Sequence, residues 1–445
     1  VPASETVRDG WYTGFIGGAR AISAHELVVK TDVGFQTRFE LTVLIERKLG
    51  GLGSRIEMHQ YRQFTEDADG RLRSFHFEDE VSGSRVIADG ELADGALTAV
   101  VLRAGRSSEQ QLAIPKGVTL YGQHGSQRLL SLQADRLQVG DTLDFHGVEM
   151  LSGRVLLVQS TAELLKRWPD GRLGFELRLD LMPGMPVRSV VDAAGNLVTM
   201  RMSMGPIAIA LQPCDGPIPL EAAGIDAIGL LASKGPAPGR SGQNRYRLPA
   251  GVSVLEDSFQ RLDGNVLSVR DQAEAGVLSE RQRFLTASPQ IEIDAPQLQA
   301  WVAELLDGHR QDAISERIEL LRLAVRSQIS RKDLSHADAS ALEAFRSRTG
   351  DCTEHAHLLA AALRIAGIPA RVEYGFVYAP TVGGWGGHAW TSAYDGTRWV
   401  LCDAAYPGIP RSHYISLGLA DQDLASCLTN LSSLLGQQIE TLAAE

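Results

Sequence analysis

Residues 349–356 read Thr349-Gly350-Asp351-Cys352-Thr353-Glu354-His355-Ala356, and the run HLLAAALRIA follows directly. Gly367-Ile368-Pro369 stops that run, with Gly just past a helix and Pro soon after. Asp351 and Glu354 have capping-box spacing, with Asp in place of the usual Ser or Thr. The pattern predicts a helix whose first turn holds Cys352. Free backbone N–H groups and the helix dipole favour an anion there. A thiol so placed is expected to ionise readily, and the thiolate is the nucleophile. The same N–H groups could receive a developing oxyanion.

A nucleophile needs a proton acceptor, and the acceptor needs orienting. Two strand-like runs follow, Gly387-His388-Ala389-Trp390-Thr391-Ser392-Ala393-Tyr394 and Arg398-Trp399-Val400-Leu401-Cys402-Asp403, with Asp395-Gly396 between them. Reading Asp395-Gly396 as a two-residue turn makes His388 and Asp403 a directly opposed cross-strand pair. The carboxylate would then hold the imidazole while the other ring nitrogen faces the thiol.

The order GDCTEHA, GIPAR, GHAW, WVLCDAAYP resembles the bacterial transglutaminase-like superfamily, over about residues 295 to 420. The resemblance implies a papain-like thiol site with Cys352 as nucleophile, His388 as general base and acid, and Asp403 as the residue orienting His388. The Asp is often followed by Pro in that family; here Ala404-Ala405 follow, with Pro407 further on. No upstream oxyanion donor is matched; Gln328 is the candidate. Trp385, in a Gly-rich stretch, is expected to line a substrate groove. Trp390 and Trp399 read as core.

Outward from this segment the chain changes character. Residues 26–47 mix alternation with β-branched residues, as half-buried strands do. Asp69-Gly70, Asp89-Gly90, Asp94-Gly95, Asp170-Gly171 and Ala194-Gly195-Asn196 each flank short alternating runs and read as hairpin turns. Similar segments at 65–79 and 190–204 allow two related halves, although generic hairpin grammar explains them as well. Residues 213–251 are rich in Pro and Gly. Asp294-Ala295-Pro296 opens a helical region, and Ile314, Ile318, Leu321, Val325 and Ile329 recur at helical spacing. The expected organisation is an antiparallel β domain over 1–212, a linker with a short β segment over 213–290, and a catalytic domain over 291–445. The fold class is α+β.

The 445 residues suffice for more than one core. A net charge of −11 argues against broad nucleic-acid binding, and no apolar run approaches a membrane span. Four cysteines are too few for a disulfide scaffold. Cys214, Cys402 and Cys427 read as core filler, with Cys402 facing away from the site. His355 and His357 raise a metal hypothesis, but paired zinc-ligand spacings are absent, so no metal or cofactor is expected. His355 is expected to pack or hydrogen-bond beneath the site. Compartment stays open. An opening at Val1 suits an exported chain whose leader has been removed as well as a truncation. The expected activity is cysteine-dependent acyl transfer on a protein or peptide substrate, by hydrolysis or transamidation through a thioester. The alternative is a catalytically silent binding or scaffold module on the same fold.

Overall fold

The alternating runs of the first half form long antiparallel strands. The computed structural model describes residues 5–49, 52–81, 83–182, 184–204, 207–226, 236–239, 242–331, 339–380, 383–419, 430, 433–434 and 437–442. Contacts divide the chain into two units, Val1–Arg47 with Arg55–Ile225, and Lys48–Ser54 with Asp226–Glu445.

In the first unit, eight strands run as one meander: β1 (Glu5–Ile16), β2 (Ala19–Thr31), β3 (Gly34–Leu49), β4 (Leu52–Asp67), β5 (Leu72–Val81), β6 (Ser84–Ala93), β7 (Ala96–Arg103) and β8 (Arg106–Ala113). Helix α1 (Gln123–Gln133) interrupts, and a second meander follows: β9 (Thr142–Leu151), β10 (Arg154–Arg167), β11 (Leu173–Leu179), β12 (Val187–Val191), β13 (Leu197–Met204) and β14 (Ile207–Cys214). The meanders join where β14 pairs antiparallel with β1, and β15 (Ala223–Asp226) pairs with β3. The sheet curls so that its far edges meet. Gln110 of β8 donates to the Gly153 carbonyl and accepts from Val155 N–H. Phe75, Phe77, Leu97 and Val101 share a core with Val148, Met150 and Val155.

Asp69-Gly70, Asp94-Gly95, Asp170-Gly171 and Ala194-Gly195-Asn196 lie between strands, each Gly at positive φ. Asp89-Gly90 does not form a turn; it lies inside β6. Gly is there for space, since a Cβ on Gly90 would come within 2.2 Å of the Phe75 ring.

Glu66 anchors α1 in this unit. It is fully buried and accepts from Gly125 N–H (2.8 Å) and the Thr37 hydroxyl (3.1 Å). Burial outweighs these two bonds and pushes its carboxyl up to about 7. A carboxyl raised on folding favours the folded state while it keeps its proton. That advantage shrinks as pH rises from the unfolded value near 4.5 through about 7. The loss is about 3 kcal/mol when fully developed. Glu66→Gln is expected to flatten the pH dependence of urea unfolding over this window. An unchanged slope would show that Glu66 is not its source.

The second unit contains β16 (Gln243–Arg247), β17 (Gln260–Asp263), β18 (Val266–Arg270), helices α2 (Pro296–Leu305), α3 (Ile314–Gln328), α4 (Ala341–Ser347) and α5 (Cys352–Ile365), then β19 (Ala370–Ala379), β20 (Gly384–Tyr394), β21 (Trp399–Cys402), β22 (Tyr414–Leu419) and β23 (Glu440–Leu442). One sheet runs β21-β20-β19-β22 and another β17-β18-β16-β23. The boundaries expected at 212/213 and 290/291 are therefore not where the contacts divide the chain. The Pro/Gly composition suggested a linker, but Tyr246, Leu267 and Val269 pack with Phe376, Trp385 and Ile415 in one core. The C-terminal run closes that sheet as a strand, with Arg247 paired to Glu440. Helix α5 packs against β19 and β20, and every residue from Glu354 to Arg364 is buried. Among the described residues, no helix is long and apolar enough to cross a membrane.

Candidate active site

The α5 start forms as its sequence dictates. The Asp351 carboxylate accepts from Thr353 N–H (3.0 Å), and the Glu354 carboxyl accepts from Asp351 N–H (2.8 Å). The other oxygen of Glu354 accepts from Ala339 N–H (3.1 Å), which ties the preceding segment to the helix start. Burial and then the Asp351 charge push Glu354 well above the usual carboxylate range. Burial thus disfavours a charge on Glu354 while it caps the helix. Gly350 permits this approach, since a Cβ there would lie 2.4 Å from the Glu354 Cβ. Cys352 is the first helical residue and is part-exposed.

His388 lies on β20 and Asp403 just beyond β21, both buried. The imidazole Nε2 is 2.7 Å from Asp403 Oδ2, and the Cys352 sulfur lies near enough to the ring to raise its proton affinity. With Nε2 committed to the carboxylate, Nδ1 is the nitrogen left for sulfur. The three residues singled out from the sequence therefore meet at one place. Burial alone would push the His388 ring down. The Asp403 charge and hydrogen bond, followed by Cys352, overcome this and push it up to about 10. Burial opposes ionisation of Asp403 too, but the His388 charge and four donors hold its carboxyl below the usual range. Those donors are His388 and the Tyr414 hydroxyl (3.0 Å) on Oδ2, and Ala405 N–H (2.8 Å) and Tyr406 N–H (3.0 Å) on Oδ1.

The strand register differs from expectation by two residues. Thr391 pairs with Cys402 and Tyr394 with Trp399, which places Asp403 beyond the paired strand rather than opposite His388. The cause is a longer turn. Asp395 N–H donates to the Arg398 carbonyl, and the Asp395 carboxylate accepts from Thr397 and Arg398 N–H, so Thr397 and Arg398 join the loop. A two-residue slip keeps every side chain on its face, and the Asp403 side chain still reaches the imidazole.

Trp385 is a second correction. It lies on β20, is fully buried, and packs edge-on against Tyr246 (4.9 Å) and Tyr378 (5.8 Å). It is core in this structure and lines no exposed groove. Trp390 and Trp399 are buried as well. Gln328 gives its amide N–H to the Phe345 carbonyl (2.9 Å). His355 Nδ1 donates to the Asp351 carbonyl (2.6 Å), and His357 Nδ1 to the Ala339 carbonyl (3.0 Å). Among the described residues, no three His, Cys, Asp or Glu side chains gather to hold a metal. Cys402 is buried, and burial pushes its thiol far up. Cys214 donates to the Gly216 carbonyl, and Cys427 lies outside the described residues.

Sequence reasoning missed two tyrosines. Tyr414, at the start of β22, is fully buried and pins Asp403 through its hydroxyl. Tyr406 is 42% exposed, and its ring sits 5.0 Å from the His388 ring. Burial first, then the charge at Cys352, pushes its phenol up, as expected of a ring beside the sulfur. An aromatic three residues after Asp403 and just before Pro407 was the available signal. Nothing local in the sequence marks Tyr414. With Trp390, the two rings surround the imidazole at 5.0–6.0 Å between centroids.

Residues 299–404 match the family model of the transglutaminase-like superfamily. Among solved structures, the chain is similar to a β-barrel-like protein of a domain of unknown function from Brucella abortus (17% identity, 46% of this chain and 95% of that one, TM-score 0.36). It is also similar to a candidate cysteine protease from Cytophaga hutchinsonii (15% identity, 46% and 84%, TM-score 0.31). A candidate protease from Parabacteroides distasonis matches at 11% identity over 72% of this chain and 64% of that one, with a TM-score of 0.21. No curated protein matches the chain.

Proposed function

Starting from a transglutaminase-like superfamily core at residues 299–404, we propose that the C-terminal unit carries out cysteine-dependent acyl transfer at an amide or isopeptide bond. The observation that carries this reading is the buried imidazole of His388, 2.7 Å from the Asp403 carboxylate and beside Cys352 at the start of α5. Cys352 attacks the amide carbonyl as thiolate, its charge favoured by the N-terminus of α5. A tetrahedral oxyanion forms near the backbone N–H of Cys352 at the start of α5, since the Asp351 carboxylate already takes the N–H of Thr353. His388 gives its proton to the departing amine, the C–N bond breaks and a thioester remains. Water or a second amine then attacks the thioester, His388 takes a proton from it, and the sulfur leaves. A protein or peptide supplies the amide.

Two readouts test this. Incubation with 4-nitrophenyl acetate is expected to add one acetyl group, localised to Cys352 by mass and absent in Cys352→Ala. Iodoacetamide at pH 6 is expected to label Cys352 before Cys214 and Cys402, and the preference should vanish in His388→Ala. Equal labelling of these thiols together with no acetyl-enzyme would falsify the catalytic reading and favour a silent binding module. Glutamine-containing peptides, with and without a primary amine, then separate hydrolysis from transamidation by product mass.

A further inference from the structure

Tyr406 combines a fixed backbone with an accessible ring. Its N–H is held by Asp403 Oδ1 at 3.0 Å, and its carbonyl lies 3.5 Å from the Tyr414 hydroxyl. Pro407 follows and biases it toward extended conformations, and the rings of Pro407 and Pro410 fix two φ angles of the loop, whose turn Gly408 makes at φ 84. Tyr406 is 42% exposed although its ring lies edge-on 5.0 Å from that of His388, which is only 4% exposed. A rigid aromatic with one face on the machinery and another in water is the form that binding anchors take.

The side of the bond it would touch follows from the chemistry. The acyl carbon must bond to Cys352, so the acyl chain extends from the sulfur. The nitrogen that leaves must meet the His388 ring, so whatever that nitrogen carries extends past the group beside that ring, which is Tyr406. The attacking amine of the second half-reaction traverses the same place in reverse. We propose that Tyr406 forms the amine subsite and selects acceptors whose amine bears a flat apolar group close to the nitrogen, favouring their transfer over smaller amines. The proposal rests on the acyl-transfer reading of Cys352. In the transfer, the amine lone pair attacks the thioester carbonyl and the C–S bond breaks. The amine's proton passes through His388 to the departing sulfur, giving an amide and the free thiol.

The test uses the full chain acetylated by 4-nitrophenyl acetate, so that every amine meets the same thioester. Rates of conversion to N-acetylbenzylamine and N-acetylmethylamine are compared, and the ratio is the readout. It is insensitive to the fraction of enzyme acetylated. Tyr406→Ala is expected to lower the benzylamine-to-methylamine ratio roughly three- to tenfold, the range of one aromatic contact. Tyr406→Phe, which keeps the ring, should retain the wild-type ratio. A ratio unchanged in Tyr406→Ala overturns the inference while the acyl-enzyme stands. Equal loss in the Ala and Phe variants overturns it as well, because the ring face would then not be the selector. Absence of any acetyl-enzyme in the wild-type chain overturns the acyl-transfer reading and the inference with it.

Discussion

Asp403→Asn is expected to slow acetylation of Cys352 about 10³–10⁴-fold, by analogy with the loss of a triad carboxylate elsewhere. The reason lies in the donors around the side chain. Ala405 and Tyr406 N–H would keep the new amide oxygen at the Oδ1 position, which turns the NH₂ toward His388 Nε2 and the Tyr414 hydroxyl. An NH₂ facing Nε2 forces that nitrogen to accept. The ring proton then sits on Nδ1 and blocks transfer from sulfur. The pH behaviour should shift with it. In the wild-type chain burial lowers the ring's affinity for a proton, and the Asp403 charge is the first of the influences that raise it to about 10. Without that charge, burial acts with less opposition. The imidazolium is kept at pH values below its folded pKa and lost above it. The rise in iodoacetamide reactivity that reports loss of the imidazolium proton should therefore move from about pH 10 to lower pH. A variant that keeps both the acetylation rate and this transition would show that Asp403 does not orient His388.

The residues proposed to carry this chemistry were legible because each has a local signature. The cap at Asp351, the helix-stop Gly367 and the strand alternation around His388 depend on near neighbours only. The errors share one origin, tertiary context. The Asp395 turn takes in Thr397 and Arg398 because the Asp395 carboxylate captures their N–H groups, and dipeptide grammar does not register that competition. Asp89-Gly90 has the composition of a turn, yet Gly90 exists to admit the Phe75 ring from the neighbouring strand. Trp385 sits in a Gly-rich stretch that suggested a loop, but those glycines extend β20 and the indole falls into a core built partly by Tyr246, far away in sequence. Glu354 was read correctly as a cap. The upward push on its carboxyl depends on complete burial, which periodicity does not measure. Arg371, Glu373 and Arg411 are all buried, and nothing in their spacing along the sequence marks them as such.

That buried cluster leads to the largest expected loss of stability. Glu373 on β19 is completely buried. Its Oε1 accepts from Arg371 Nε (3.0 Å) and the Ser392 hydroxyl (2.6 Å), and its Oε2 from Arg411 (3.4 Å). Arg371 also pairs with Asp257, whereas Glu373 is the acidic group that the structure sets against Arg411. Burial would raise the Glu373 carboxyl, but the two guanidinium charges outweigh it and keep it ionised, below its usual range. Glu373→Ala would leave Arg411 buried beside Phe259 and Trp390 without its counter-ion. Removing one partner of a buried pair costs about 3–5 kcal/mol, far more than the intact pair contributes over an apolar replacement. For a unit of this size that is a fall in Tm of roughly 6–20 °C. The site should feel it too, since Arg411 also donates to the Tyr414 carbonyl (3.0 Å), and Tyr414 holds Asp403. The sign of the pH dependence follows from the depressed carboxyl. Its stabilisation is complete above the unfolded value near 4.5 and disappears as pH falls through the lower folded value. The stability gap between wild type and Glu373→Ala, measured by urea unfolding of the full chain, should therefore be widest near neutral pH and narrow under acid. A gap below about 1 kcal/mol at pH 7, the range of exposed pairs, would mean that water reaches this cluster and that Tyr414 is held by packing alone.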